Sequence, residues 1–457
     1  MDAITSSYYA IPVLDKVLIY SPLQGITALT NQDAARTLRR CLETRAPIPR
    51  QIQPLYKSLK ESPSTLPDVR PARGIAPLFL GIIPTRACSL RCVYCDFITD
   101  QAAGNPMSLP MAKQIIDAYF DILDKEKSER ADVQFFGGEP FYSPEVVYFS
   151  VAYAGRKARE RVMDIHFEVT TNGIFSRDTA MWAADNFDAV ILSLDGPPDI
   201  QESQRPARSG KPVFPIVFEN AKIISSGSAD LIIRSCVSQK TASRMTEIAD
   251  WIVEEFHPKA VCFESVHPTG QSVGARLFPP DPIEFARRFH AAARIPEAHG
   301  VMAVHSTTDV STCRTTICPV GKNALIVSPD GAVDACYLPE KTWRDAGLDF
   351  RLGKIHAGKF ELDENMLEGI RTLSGAIKPG CVNCLCRYHC AGGCHVRRNG
   401  NHSSGKYDDS CMQTRLVTIA NLLRRLNEND LAASWLADES SMTRFARRSS
   451  DQLGEMA

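Results

Sequence analysis

The distribution of cysteine constrains this chain more than any other feature of its sequence. Fifteen cysteines occur in 457 residues, and most stand at short, fixed spacings. The first group, in CSLRCVYC, reads Cys88-x3-Cys92-x2-Cys95. The second reads Cys318-x12-Gly331-x4-Cys336, then Cys381-x2-Cys384-x5-Cys390-x3-Cys394, then Cys411, with Cys313 five residues upstream of the set. The opening MDAITSSYYAIPVLDK lacks a basic stretch followed by an apolar one, so no secretory signal is expected and the chain reads as cytoplasmic. In that setting closely spaced thiols are metal or cluster ligands more often than a disulfide framework. Three thiolates on one loop can hold three irons of a cubane and leave the fourth open to a small molecule. A zinc site with its remaining ligand elsewhere gives a similar spacing.

The rest of the composition excludes other classes. With 52 basic and 53 acidic residues the chain lacks the positive balance expected of a nucleic-acid binder. Its longest strongly apolar run, Ala76 to Pro84, is too short to span a bilayer, so no membrane partner is expected. A chain this long buries enough surface to fold without covalent staples.

Along the chain the pattern changes five times. Residues 1–60 read as a small α+β segment: short strands around Ile11, Val13 and Val17–Pro22, then a helix capped by Thr30 or Asn31 and running to about Glu43. Pro47, Pro49, Pro54, Pro63, Pro67, Pro71 and Pro77 break up the stretch that follows, and 61–76 reads as a linker. Residues 77–265 alternate strand and helix six times, which predicts an α/β fold: a partial (β/α)6 barrel, TIM-like, with its ligand at the carboxyl ends of the strands. Residues 266–312 form a bridging segment, helical from Pro282. Residues 313–430 are a cysteine-rich domain of low periodicity ending in a helix, and 431–457 reads as a polar tail.

Short motifs close the predicted strands in order. Tyr94 precedes the third cysteine of the triplet, FFGGEP spans Phe135–Pro140, TTNG spans Thr170–Gly173, SLDGP spans Ser193–Pro197, and Arg234 lies on the fifth strand. Singly these are good turn formers. Together with the triplet, the chain resembles the radical S-adenosylmethionine (radical SAM) superfamily, and its C-terminal third resembles the SPASM domain. The resemblance implies three 4Fe–4S clusters and SAM as cofactors. The first cluster would take Cys88, Cys92 and Cys95. Two auxiliary clusters would take Cys313, Cys318, Cys336 and Cys394, and Cys381, Cys384, Cys390 and Cys411; two four-cysteine zinc sites are the alternative. SAM would lie against Tyr94, Gly137, Gly138, Glu139, Thr171, Asn172, Ser193 and Asp195. Arg234 is either a partner for its carboxylate or an ordinary interior arginine. Cys386 reads as a spectator thiol, Cys41, Cys236 and Cys262 as core residues, and His389 and His395 as neighbours of ligands.

The chemistry implied by the resemblance is reductive cleavage of SAM to a 5′-deoxyadenosyl radical, which abstracts hydrogen from an unreactive C–H bond. SPASM-bearing members mostly modify peptides. The expected function is therefore maturation of a ribosomally made precursor peptide by crosslink, thioether, epimerisation or a similar change. Anaerobic sulfatase maturation to formylglycine is the alternative, and a small-molecule substrate is a third reading. Two features favour the first. Some 87 residues precede the triplet here, and the position after the second motif cysteine, an aspartate in sulfatase maturases, is Tyr337. Residues 1–60 are weakly similar to a leader-peptide recognition domain, with a brace on the barrel as the alternative. Flavodoxin or ferredoxin is the expected electron donor. Glu264 and His267, near the end of the sixth strand, either face substrate or are structural, and no catalytic residue is assigned.

Overall fold

The computed structural model describes residues 8–44, 46–62, 77, 79–97, 104–318, 320, 324–397 and 407–447. Most of the expected 61–76 linker and the last ten residues of the expected tail lie outside these.

The chain opens with three antiparallel strands, β1 (Tyr9–Val13), β2 (Lys16–Ser21) and β3 (Ile26–Asn31), in the order β1-β2-β3. Strand alternation gives the sheet two apolar faces. Ala10, Val17 and Ile19 pack on Ala35, Leu38 and Cys41 of the helix Gln32–Thr44 and on Leu59 of the helix Gln53–Glu61. Tyr9, Ile11, Val13, Leu18 and Tyr20 point the other way, into the main core of the molecule. Asn31 caps the first of these helices, its Oδ1 accepting from Ala34 N at 2.8 Å. The second forms inside the proline-rich stretch because Pro54 sits in its first turn, where a missing N–H costs nothing. Strand β3 was not anticipated: its six residues are only half-buried and lack a strongly apolar face.

The six predicted strands are all present, as β4 (Leu80–Ile82), β5 (Arg130–Phe135), β6 (Asp164–Thr171), β7 (Ala189–Ser193), β8 (Asp230–Val237) and β9 (Ala260–Ser265), each parallel to the next. The sheet is larger than six. The bridging segment contributes β10 (Met302–Val304), parallel to β9, after the helix Pro282–Ala298. The cysteine-rich region contributes β11 (Leu325–Val327), parallel to β4, and then the antiparallel strands β12 (Ala332–Asp334), β13 (Arg351–His356) and β14 (Lys359–Leu362). The result is one open eleven-stranded sheet with β10 and β14 at its edges. β10, β11 and β12 have three residues each, too few to show a period, which is why this part of the continuation was not legible.

The expected polar tail folds as far as residue 447, into helices Asn429–Ala437 and Glu439–Arg447. Trp435, Met442 and Phe445 are buried there, at the i, i+3 spacing of one helix face in the latter pair. Among the described residues no helix is long and apolar enough to cross a membrane.

Because the N-terminal sheet has its own small core on one face only, Leu38→Ala is expected to destabilise it by about 2–5 kcal/mol while sparing the barrel. Hydrogen exchange should show faster exchange across residues 8–62 and unchanged protection in β5–β9.

Candidate functional site

The carboxyl ends of β4 to β9 converge on one cavity of about 260 Å³. Its lining includes Cys88, Cys92, Cys95, Tyr94, Gly137, Gly138, Glu139, Thr171, Asn172, Ser193 and Arg234, along with Glu264 and His267. Of the sequence-predicted residues around SAM, Asp195 alone is absent from this lining.

Two glycines set the position of the cysteine loop. Gly137 has φ +142°, and a Cβ there would stand 2.7 Å from Ile83 Cγ2; a Cβ on Gly138 would stand 2.2 Å from the Ala87 carbonyl oxygen. Side-chain-free backbone can therefore run directly against residues 85–87, where Gly138 N donates to Thr85 O at 3.1 Å and Glu139 N to Ala87 O at 2.9 Å. The far side of the loop is held by Arg91 N to Pro206 O (2.8 Å) and Val93 N to Gln204 O (3.0 Å).

Glu139 is fully enclosed and ties β5 to β6. Its carboxylate accepts from Phe141 N (3.1 Å), Thr171 Oγ1 (2.8 Å) and Asn172 N (2.7 Å). Burial pushes its carboxyl up to about 7 in spite of those three donors. It borders the cavity and retains acceptor capacity beyond those three bonds.

Asp195 stands one layer behind the cavity wall. It is fully buried and accepts from Tyr94 OH (2.6 Å), Gln204 Nε2 (2.8 Å), Cys236 N (2.9 Å) and Arg205 (3.0 Å). Arg205 lines the cavity and lies 5.3 Å from the Tyr94 ring centroid. Sequence reading missed Arg205: it sits in a loop without periodicity, and only folding brings it to Asp195. Arg234, by contrast, opens into the cavity from β8. Burial opposes its charge, yet Glu264 and the neighbouring thiols Cys262 and Cys236 hold it above the usual arginine range.

Glu264 is fixed from behind. Ser306 N donates to it at 2.8 Å, and His305 Nδ1 lies 3.3 Å from its other oxygen. Burial alone would raise its carboxyl, but His305 and Arg234 hold it well below the usual carboxylate range. His305 and Arg397 are further residues without a sequence signal. Arg397, three residues past Cys394, reaches the cavity and pairs with Asp96 beside the first cysteine group. Cys236 also borders the cavity, so it is not a simple core thiol.

The thiols suit a cationic cluster. Cys88 Sγ accepts from Leu90 N and Asn172 Nδ2, both at 3.4 Å, the kind of N–H···S contact that stabilises a thiolate ligand. Burial pushes the Cys88 thiol up to about 11 and the Cys92 thiol higher still, so without a metal these two thiols are uncharged. In the C-terminal region Cys381, Cys384, Cys390 and Cys411 line one pocket. Cys411 is placed in the first turn of the helix Asp409–Arg425 by its cap, Asp408 Oδ1 accepting from Cys411 N at 2.7 Å. Cys386, read as a spectator thiol, lines the same pocket and donates to Thr418 Oγ1 at 3.6 Å. Burial raises the Cys318 and Cys336 thiols, and the nearby Cys394 raises both further. Cys313 is directed elsewhere: its thiol donates to the Pro22 carbonyl of the N-terminal module at 3.3 Å.

Residues 82–230 match the profile of the radical SAM superfamily. The cysteine-type anaerobic sulfatase-maturating enzyme of Clostridium perfringens is 23% identical over 352 residues, covering 72% of this chain and 91% of its own. That of Clostridium novyi is 21% identical over 355 residues, covering 70% and 88%. Among solved structures, anSMEcpe with bound AdoMet superposes with a TM-score of 0.61 at 21% identity, over 79% of this chain and 99% of its own. Streptococcus suis SuiB bound to precursor peptide SuiA superposes at 0.50 and 14% identity, over 87% and 96%.

Two variants test the site. Gly138→Ala should lower reconstituted iron by about four per chain, the content of one cluster, because its Cβ meets backbone that cannot give way; unchanged iron would refute the stitching role of the glycine pair. For Glu139 the folded carboxyl titrates near 7 against an ordinary 4.5. Its protonated form thus adds stability fully present below pH 4.5 and lost as pH rises through 7. The melting-temperature advantage of the parent over Glu139→Gln should shrink across that window.

Proposed function

The chain carries a radical SAM domain, and from that premise we propose that it is a radical SAM peptide maturase, modifying a precursor peptide recognised by the N-terminal module. When bound, the first cluster and SAM supply a carbon-centred radical able to remove hydrogen from an unreactive C–H bond. The residues of this chain orient and shield. Glu139 and the Gly137–Gly138 turn would face an ammonium, Arg205 and Arg234 a carboxylate, and Cys88, Cys92 and Cys95 would hold the cluster. The pocket of Cys381, Cys384, Cys390 and Cys411 would hold one auxiliary cluster, and Cys318, Cys336 and Cys394 a second, giving three in all.

The observation that carries the peptide reading is β3. It ends its sheet with an edge that no described strand pairs, half-buried on both faces, while β1 and β2 are committed to the core. Such an edge accepts an extended peptide as an added strand. Structural neighbours bear on the same point, since SuiB is described bound to precursor peptide SuiA and anSMEcpe bound to AdoMet and the Kp18Cys peptide.

Sulfatase-type maturation is the second reading, favoured by the curated relatives. Tyr337 argues against it. The residue lies flat on Phe79 (6.2 Å between centroids) and against Phe136 (4.9 Å), with its hydroxyl 3.4 Å from Gln134 Oε1. Burial holds its hydroxyl well above the ordinary tyrosine range, so it cannot serve as the base that an aspartate at this position would provide.

Deleting the N-terminal module is not a clean test, because Tyr9, Ile11 and Val13 belong to the main core. Proline on the edge strand is cleaner. N–H groups alternate sides along β3, so one of Ala28→Pro and Leu29→Pro blocks the outer edge while leaving the ladder to β2 intact. That variant is expected to lose about tenfold or more in affinity for a precursor peptide encoded beside the gene, with dithionite-driven SAM cleavage within about twofold of the parent. Full affinity in both folded variants would sink the recognition role.

A further inference from the structure

The cysteine-rich stretch concentrates charge in a way the whole chain does not. Between Gly369 and Tyr407 there are six basic residues and no acidic one, in a protein whose net charge is −1. Two of these, Lys378 and Arg387, line a hollow of about 130 Å³ together with Arg314 and Ile377. Cys381 lines this hollow as well, and Cys381 and Arg387 both also line the thiol pocket of Cys384, Cys390 and Cys411. A single layer of side chains thus separates the hollow from the outer auxiliary site. Arg387 is held by its hydrogen bond to Val382 O (3.4 Å), a carbonyl that orients the guanidinium without cancelling its charge. Both cations are half-buried, Lys378 Nζ donating to Gly392 O at 3.0 Å, and exposed apolar side chains flank them: Ile377 is 52% exposed and Val382 40%.

Basic residues around exposed apolar groups are the composition of a small, transient docking face, where charge steers the encounter and a few apolar contacts seat it. The first cysteine group offers no comparable approach, since its cavity must also hold SAM and substrate. We propose that the hollow lined by Ile377, Lys378, Cys381 and Arg387 is the docking face for an acidic one-electron carrier protein. The carrier would lose one electron, and a cluster held by Cys381, Cys384, Cys390 and Cys411 would accept it, with no bond or proton exchanged. The inference rests on the reading of the outer thiol pocket as a cluster site.

The test uses the full chain, anaerobically reconstituted, titrated with a reduced flavodoxin at low and high ionic strength. Lys378→Glu is expected to raise the dissociation constant about tenfold at low salt, with the gap narrowing as salt screens the charges. Ile377→Glu changes an exposed side chain that makes no described hydrogen bond and should weaken binding in the same direction. Lys125→Glu, at the opposite end of the strands, should leave it within about twofold. Iron content and dithionite-driven SAM cleavage, which needs no protein donor, should match the parent in all three. Unchanged affinity in both hollow variants overturns the proposal, and so does an equal loss in Lys125→Glu. Weakened binding of a precursor peptide with flavodoxin affinity untouched would assign the hollow to the peptide instead. If dithionite drives no SAM cleavage in the parent, the maturase reading fails, while the flavodoxin comparison is still decided by its own affinities.

Discussion

The site is organised around a buried carboxylate. Asp195 has no exposed surface and receives hydrogen bonds from Tyr94, Gln204, Arg205 and the Cys236 backbone. These groups come from the cysteine loop, the segment after β7 and the end of β8. An ion taken out of water is tolerated only when its lone pairs are filled, and removing one partner leaves a charge with nowhere to go. The loop bearing the first thiols is thus locked to β7 and β8 on one side, as the glycine turn after β5 locks it on the other. Arg205 gains from the same arrangement. Its bond to Asp195 turns a flexible cation into a fixed wall of the cavity.

Continuity of the sheet decides where the cysteine-rich region sits. β11 pairs with β4 in parallel register, Leu325 opposite Leu80 and Val327 opposite Ile82, so the region begins as the next strand of the barrel rather than as a separate body. Gly81 is where this junction is tightest. A Cβ there would stand 2.5 Å from the Tyr337 hydroxyl, and the glycine leaves room for that ring to lie across β4. Tyr337 in turn backs Phe136, which borders the cavity. From the other direction Arg397 reaches in and pairs with Asp96. The cysteine-rich region therefore closes one flank of the cavity, which suits chemistry that must be kept from water.

The N-terminal module is bound into the same assembly. Tyr20 on β2 lies edge-on to His389 at 6.5 Å, the Cys313 thiol donates to Pro22 O, and Lys16 pairs with Glu428 at 3.6 Å. One face of its sheet is buried in the main core, so the module has a fixed orientation relative to the barrel, and among the described residues no strand pairs the outer edge of β3. The buried face makes the module a brace on the main core.

What the sequence determined by itself were the features written in local spacing. Alternation of strand and helix from residue 77 to 265, the thiol triplet, and the glycine turn at Gly137–Gly138 are each properties of a few neighbouring residues, and each was legible before any coordinates. Tertiary structure alone decided the rest. Strands β10 to β12 are three residues long and exist because a neighbouring strand offers its hydrogen bonds, not because their own pattern demands it. Arg205 acquires meaning only from a carboxylate ten residues away that is reached by folding the loop back on β8. Asp195, read from SLDGP as a cofactor contact, accepts from four donors that only folding brings together. Cys313 lies five residues from Cys318, yet its thiol meets a carbonyl 291 positions away. Spacing along the chain reports which groups can be near one another; burial and hydrogen-bond competition decide which of them are.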